Sequence, residues 1–301
     1  MSEHAATTPV CYRHTSRETW VRCARCERPI CPDCMFDAAV GHQCPECVAD
    51  GRRTQRSART AFGGGASGHA GHVTKVLIGL NVLVALIGVA TAGTRALFEG
   101  GLFTTAGPIH AIGAVVGPSV PLYTAGDGIT IYPGIDDGGV YRLLTAMFIH
   151  YGLLHLLMNM WALWVLGRNL EAVLGPARFL ALFLLSGLGG NVAAYLINPN
   201  SLSAGASTAV FGLFGAYFVI LRKLRMDTSA VVGVLVVNLV LTFTISQISW
   251  AGHLGGLLAG SLVAVVLAYA PRPYRTQVQI AGNVALLVVL LALVMLRMLT
   301  H

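Results

Sequence analysis

Charge is scarce in this chain of 301 residues. Only 11% are Asp, Glu, Lys or Arg and 55% are hydrophobic, with mean hydropathy +0.68, whereas soluble domains average about 25% charged. That deficit excludes an ordinary soluble enzyme and predicts a membrane protein. Acids are the scarcer sign, 13 against 20 Lys plus Arg, for a net charge of +7. A basic excess can mean nucleic acid, but here the positive residues sit in short clusters between apolar runs. This is the pattern of membrane topology, so no nucleic-acid partner is expected. Cysteine is absent beyond Cys47, and all 7 cysteines fall before residue 48. The N-terminus is polar and does not read as a signal peptide. The first domain is therefore expected to stay in a reducing cytoplasm, where such cysteines bind metal and do not form disulfides.

The cysteines are paired. Cys11-x2-His14, Cys23-x2-Cys26, Cys31-x2-Cys34 and His42-x-Cys44-x2-Cys47 supply enough ligands for two tetrahedral zinc ions. So short a segment has little apolar core, and metal binding would be most of its folding energy. The spacing resembles B-box-like, cross-braced zinc fingers. That resemblance implies one structural zinc on Cys11, His14, Cys31 and Cys34 and a second on Cys23, Cys26, Cys44 and Cys47, with His42 as an alternative to Cys44. Whether the finger is purely structural or has a protein partner is left open. Residues 51–72 form a basic, glycine-containing linker with Arg52, Arg53, Arg56 and Arg59 followed by Gly63-Gly64-Gly65.

The remainder, residues 73–301, holds seven apolar segments, near 74–96, 144–167, 177–197, 206–222, 229–247, 250–270 and 278–298. The expected fold is an all-α polytopic membrane protein. A loop at about 98–140, with Glu99, Asp127, Asp136 and Asp137, is long enough to suggest a role of its own. Placing the finger inside puts Arg168, Arg178, Arg222, Lys223, Arg225, Arg272 and Arg275 on inner connections, while the outer connections 198–205 and 247–249 carry no Lys or Arg. Arg297, near the outer C-terminus, is the exception.

Two polar residues then fall at similar depth on the outer side. Ser207, in Gly205-Ala206-Ser207, begins a segment about 4 residues short of a full span, so its outer end starts roughly 6 Å below the surface. His253, in Gly252-His253, lies about one turn into the sixth segment. Gly212 and Gly215 on one segment and Gly252, Gly256 and Gly260 on the other permit close approach. A serine in a membrane helix is ordinarily a packing residue, and glycine-mediated packing around a satisfied histidine would explain the pattern without chemistry. Against this, an ionisable group inside a membrane is costly and usually functional. Serine needs a base to become a nucleophile, and imidazole is the usual one. No acid is available to orient it, since between residues 143 and 270 the only acids are Glu171 and Asp227, both at inner ends. The expectation is a Ser207–His253 dyad. His155 and Asn159, four apart on one helix face, are candidate oxyanion donors, with His150 beside them.

Together these motifs resemble those of rhomboid intramembrane serine proteases. The Gly-x-Ser is Gly205-Ala206-Ser207, the second-helix pattern is His150, His155 and Asn159, and the sixth-helix Gly-His is Gly252-His253. The family's Trp-Arg of the first loop stands here as Tyr141-Arg142, and Glu171 resembles a structural acid at the inner end of the second helix. The resemblance spans about 74–300 and implies a six-helix core plus a seventh C-terminal helix. A zinc finger ahead of it (residues 1–50) is similar to an arrangement seen in actinobacterial members. The resemblance implies a serine endopeptidase with no cofactor for catalysis, in the cell membrane, acting on transmembrane proteins whose helices unwind near small residues. It further implies a finger in the cytoplasm, an active site opening to the outer face, and a lateral gate formed by the first loop and the fifth helix. An inactive relative that binds or chaperones membrane proteins is the alternative; such relatives lose the serine or histidine, and both are present. A transporter or channel would carry internal repeats or charged mid-membrane residues, and neither is found.

Overall fold

The computed structural model describes residues 8–54, 59–65, 71–94, 107–124 and 128–300. Linker residues 55–58 and 66–70, with Arg56, and Glu99 and Asp127 of the long loop lie outside the described residues. The chain divides into two compact units, Met1–Ala58 and Arg59–His301.

The first unit is built from short turns. It holds a two-residue hairpin, β1 (Phe36–Asp37) against β2 (His42–Gln43), and one helix, α1 (Pro45–Thr54), which runs through residue 50. Its buried apolar residues are Ile30 and six of the cysteines. A core this small cannot offset the chain's conformational entropy by burial alone.

The second unit is helical. In order it contains α2 (His72–Ala92), α3 (Pro108–Gly113), an antiparallel hairpin of β3 (Val120–Thr124) and β4 (Gly128–Tyr132), and α4 (Arg142–Thr145). Then come α5 (Gly152–Leu174, with a π-helical turn at Leu163–Gly167), α6 (Pro176–Ile197), α7 (Ser207–Leu224), α8 (Ser229–Thr244), α9 (Trp250–Tyr269) and α10 (Arg275–Thr300). By length and composition α2, α6, α7, α9 and α10 can each cross a membrane, and the bent pair of α4 and α5 makes a sixth candidate. The chain is thus a multi-pass, mostly helical membrane protein.

The structure differs from the sequence reading at three places. The second segment does not start at 144, because Gly152 takes φ +78° and α5 begins there, bent 92° from the short helix before it. The fifth segment stops at Thr244, where Ile245 turns extended; 16 residues rise about 24 Å, short of a bilayer core of about 30 Å. The long loop is not featureless. It carries α3 and the hairpin, whose Ile129, Ile131 and Tyr123 are exposed.

The loop is fastened by Arg142, which is wholly buried. Its guanidinium donates to the carbonyl oxygens of Pro133 (2.7 Å), Ala114 (2.9 Å) and Ala111 (2.6 Å). Tyr141 is partly exposed, so at this Tyr-Arg pair the anchoring is done by the arginine. Glu171, also wholly buried, caps α2 across 97 residues of chain, accepting from the backbone N–H of Val73 (3.0 Å) and Thr74 (2.9 Å) and from the Thr74 hydroxyl (2.8 Å). A carboxylate at a helix N-terminus meets both the orphan amides and the dipole. Arg297 is likewise explained: it donates to the Leu196 carbonyl at the end of α6 and stacks over Tyr195.

Helices α6, α7 and α9 form the centre of this unit, and glycines bring their backbones into direct contact. A methyl group on Gly256 of α9 would lie 1.9 Å from the Thr208 carbonyl oxygen of α7, and one on Gly260 would lie 2.3 Å from that of Gly212. A methyl on Gly212 would in turn strike Ser186 of α6 at 2.2 Å. No side chain fits between these helices, which is the packing that small residues allow in membranes. Gly256→Ala is therefore expected to destabilise this unit by about 1–3 kcal/mol, the usual cost of overpacking, read as a lower thermal unfolding midpoint in detergent; an unchanged midpoint would mean the backbone contact is not tight.

Candidate functional site

Ser207 is the first residue of α7, where N–H groups have no acceptor within the helix. His253 lies in the first turn of α9, which the Ser249 hydroxyl caps by accepting from Gly252 N–H at 3.2 Å. The Thr208–Gly256 contact is one residue beyond Ser207 and three beyond His253, so it fixes their register. The two side chains meet, with Ser207 Oγ 2.9 Å from His253 Nε2. The imidazole is 7% exposed and lies flat on Phe211 at 4.0 Å between ring centroids.

The other ring nitrogen also has a partner. His253 Nδ1 is 2.8 Å from Thr242 Oγ1 of α8. That hydroxyl donates its proton to the Asn238 carbonyl at 2.7 Å. Its oxygen therefore accepts from Nδ1–H, which leaves Nε2 unprotonated toward Ser207. Among the described residues no carboxylate hydrogen-bonds His253.

His155 and Asn159 stand on α5 facing the same space. Tyr151 N–H donates to His155 Nδ1 at 3.3 Å, which places the ring proton on Nε2. The Asn159 amide uses one N–H on the His155 carbonyl (2.9 Å) and has a second. Gly205 separates His155 from Ser207. It holds φ +140°, and a methyl group there would lie 2.8 Å from His155 Cε1 and 3.3 Å from Ser207 Oγ. Only glycine keeps that gap open. His150 does not join the group around Ser207 Oγ. Its Nε2 accepts from Ala206 N–H at 3.3 Å, holding the turn that presents the serine.

A cavity of about 600 Å³ opens onto these groups. Its lining includes His155, Asn159, Ser207 and His253, the apolar side chains of Met158, Trp161, Phe211 and Phe214, and the α8 face at Asn238, Leu241 and Thr242. A volume of this size with a few convergent polar groups is what a ligand site requires.

Four contributors were not anticipated from the sequence. Asn238 and Thr242 are four apart on a largely apolar helix, the same polar spacing that marked His155 and Asn159, and could have been found on that ground. Phe211 offers no signal beyond being apolar. His110 of α3 stacks on Tyr151 at 4.3 Å, accepts from Gly107 N–H and reaches the His150 carbonyl at 3.3 Å. Burial pushes its imidazole down to about 4, so it stays neutral.

In the first unit, two groups of ligand atoms each lie within 4.8 Å of one another: Cys11, His14, Cys31 and Cys34, and Cys23, Cys26, Cys44 and Cys47. His14 Nδ1 is 3.2 Å from Cys31 Sγ and 3.5 Å from Cys34 Sγ, and Cys26 Sγ is 3.8 Å from Cys44 Sγ. Tetrahedral zinc with Zn–S near 2.3 Å separates its ligands by about 3.8 Å. His42 stands outside, 3.3 Å from Asp37. Burial opposes ionisation of Cys11, but backbone hydrogen bonds from Cys31, Arg13 and His14 outweigh it and bring the thiol down to about 6. Cys23 is likewise brought down to about 6, while burial and neighbouring sulfurs push Cys34 up to about 11 and Cys47 to about 12. Cys11 and Cys23 thus ionise more readily than a free thiol, whereas Cys34 and Cys47 resist ionisation without a cation, which fits a thiolate metal site. Elemental analysis of the purified protein is expected to give two zinc ions per chain, falling to one in the Cys23→Ser, Cys44→Ser double variant; one or none in the wild type would reject the two-ion reading.

Fold and site together define a polytopic helical membrane protein with a serine–histidine pair, its histidine buried, on the wall of a cavity. The Rhomboid domain family model matches residues 137–270. "Rhomboid protease GluP" of Bacillus subtilis (strain 168) is 37% identical over 138 residues, 44% of this chain and 27% of GluP. YdcA of the same organism is 34% identical over 145 residues, 46% of this chain and 73% of YdcA. "RHOMBOID-like protein 5" of Arabidopsis thaliana is 32% identical over 167 residues, 52% of this chain and 53% of that protein. The chain belongs to the rhomboid family.

Proposed function

We propose that the protein is an intramembrane serine endopeptidase that cleaves membrane-anchored proteins with a Ser207–His253 dyad. One observation carries this reading: the 2.9 Å contact between Ser207 Oγ and His253 Nε2 at the wall of a cavity lined with hydrogen-bond donors. The matched relative named as a protease supports it, although the chain spans about a quarter of that relative's length.

In the proposed mechanism the Ser207 proton passes to His253 Nε2 as Oγ bonds to the scissile carbonyl carbon. The carbonyl electron pair moves onto oxygen, where Ser207 N–H, His155 Nε2–H and the second Asn159 N–H are the donors. The tetrahedral centre then expels the amine, which takes the proton from His253. Water, activated by the same imidazole, releases the acyl group from Ser207. No metal takes part in these steps. The two zinc ions are proposed to fold the first unit, held by Cys11, His14, Cys31 and Cys34 and by Cys23, Cys26, Cys44 and Cys47. The charge pattern of the connections supports a plasma-membrane orientation with the finger in the cytoplasm and the cavity opening to the outer face.

Ser207→Ala and His253→Ala are each expected to abolish cleavage of a membrane-anchored reporter in proteoliposomes while the unfolding midpoint stays within a few degrees. Full cleavage by either variant would overturn the dyad. Asn159→Ala and His155→Ala are expected to lower kcat by about 10²-fold each, the usual loss for one oxyanion donor, and an unchanged kcat would remove that residue from the role.

A further inference from the structure

The base in this site is oriented by a helix that is barely held. Of α8, only Val231 and Thr242 are buried, whereas Val234, Val236, Val237, Val240, Leu241 and Phe243 are exposed. Thr242, 2% exposed, is thus the one buried side chain in the half of α8 next to the site, and its hydroxyl is spent on His253 Nδ1. The same face of α8 forms a wall of the cavity through Val234, Asn238, Leu241 and Thr242.

We propose that Thr242 is a positioning residue standing where serine hydrolases place an acid. The inference rests on the serine-peptidase reading and deepens it. An imidazole has two neutral tautomers, and only the one with its proton on Nδ1 can accept from Ser207. The Thr242 hydroxyl selects that tautomer because its own proton is committed to the Asn238 carbonyl. It carries no charge and makes no bond to substrate. It acts by holding the ring's orientation and proton together with the Phe211 stack.

The test compares Thr242→Val, which keeps the shape and removes the hydroxyl, with Thr242→Ser, which keeps the hydroxyl. Reaction of full-length protein with a fluorophosphonate probe and reporter cleavage are both measured, with Ser207→Ala as the blank. The valine variant is expected to lose about 10²-fold in labelling rate and kcat with KM within about threefold, and the serine variant to recover most of it. Equal rates for valine and wild type, or a serine variant as slow as valine, would overturn the proposal. Nitrogen-15 spectra of histidine-labelled wild-type protein, assigned by loss of a signal in His253→Ala, provide a readout that does not depend on activity or on the valine variant folding. The Nδ1–H tautomer is expected, and the Nε2–H tautomer would sink the proposal. Wild-type protein that neither labels nor cleaves, yet shows the Nδ1–H tautomer, would count against the peptidase reading while upholding the Thr242 hydrogen bond.

Discussion

Everything at the site depends on two helices touching backbone to backbone. Gly256 of α9 lies against the Thr208 carbonyl of α7, with no room for one methyl group. Without a hydrophobic force to drive helices together in lipid, such contact needs small residues and close van der Waals packing. The contact is rigid because neither partner has rotamers to adjust. It therefore transmits its register directly to Ser207, one residue away, and to His253, three residues away. A serine and a histidine separated by 46 residues of sequence come to hydrogen-bond distance, with no carboxylate among the described residues bonded to the histidine.

The polar groups of the second unit follow a common economy. Arg142, Glu171 and Gln279 are buried, and each is satisfied by backbone groups more than by opposite charge. Arg142 takes three carbonyls, Glu171 takes two amides and a hydroxyl, and Gln279 donates to the carbonyls of Phe62 and Leu267. In a low-dielectric setting an unsatisfied polar group is expensive, and segment ends supply unsatisfied backbone groups. These side chains match one need to the other and so fasten segments that are distant in sequence. The site uses the same device at His150 and Tyr151, where backbone amides set the presenting turn and the tautomer of His155.

The first unit solves a different problem. It has almost no apolar interior, and its order comes from eight ligand atoms converging in two groups. Paired spacing alone cannot say which pairs share an ion. The chain path decides which pairs come together: the first pair lies beside the third, and the second beside the fourth.

Much of this was legible in the sequence because the physics is local. Twenty apolar residues make a spanning helix wherever they occur, a Cys-x2-Cys turn presents two thiolates to one point, and basic flanks mark a membrane side. The residues Ser207, His253, His155 and Asn159 could be named from spacing and depth. What the sequence could not supply is any fact that depends on two distant segments at once. That Gly152 would break the second segment, that α8 would fall short of a full span, and that Thr242 would meet His253 Nδ1 are decided by packing, since each is the outcome of competition among many contacts. Sequence determined which polar groups each apolar segment carries; the tertiary fold alone decided which of them face each other, because rotation about a helix axis is set by neighbouring helices and not by the helix itself.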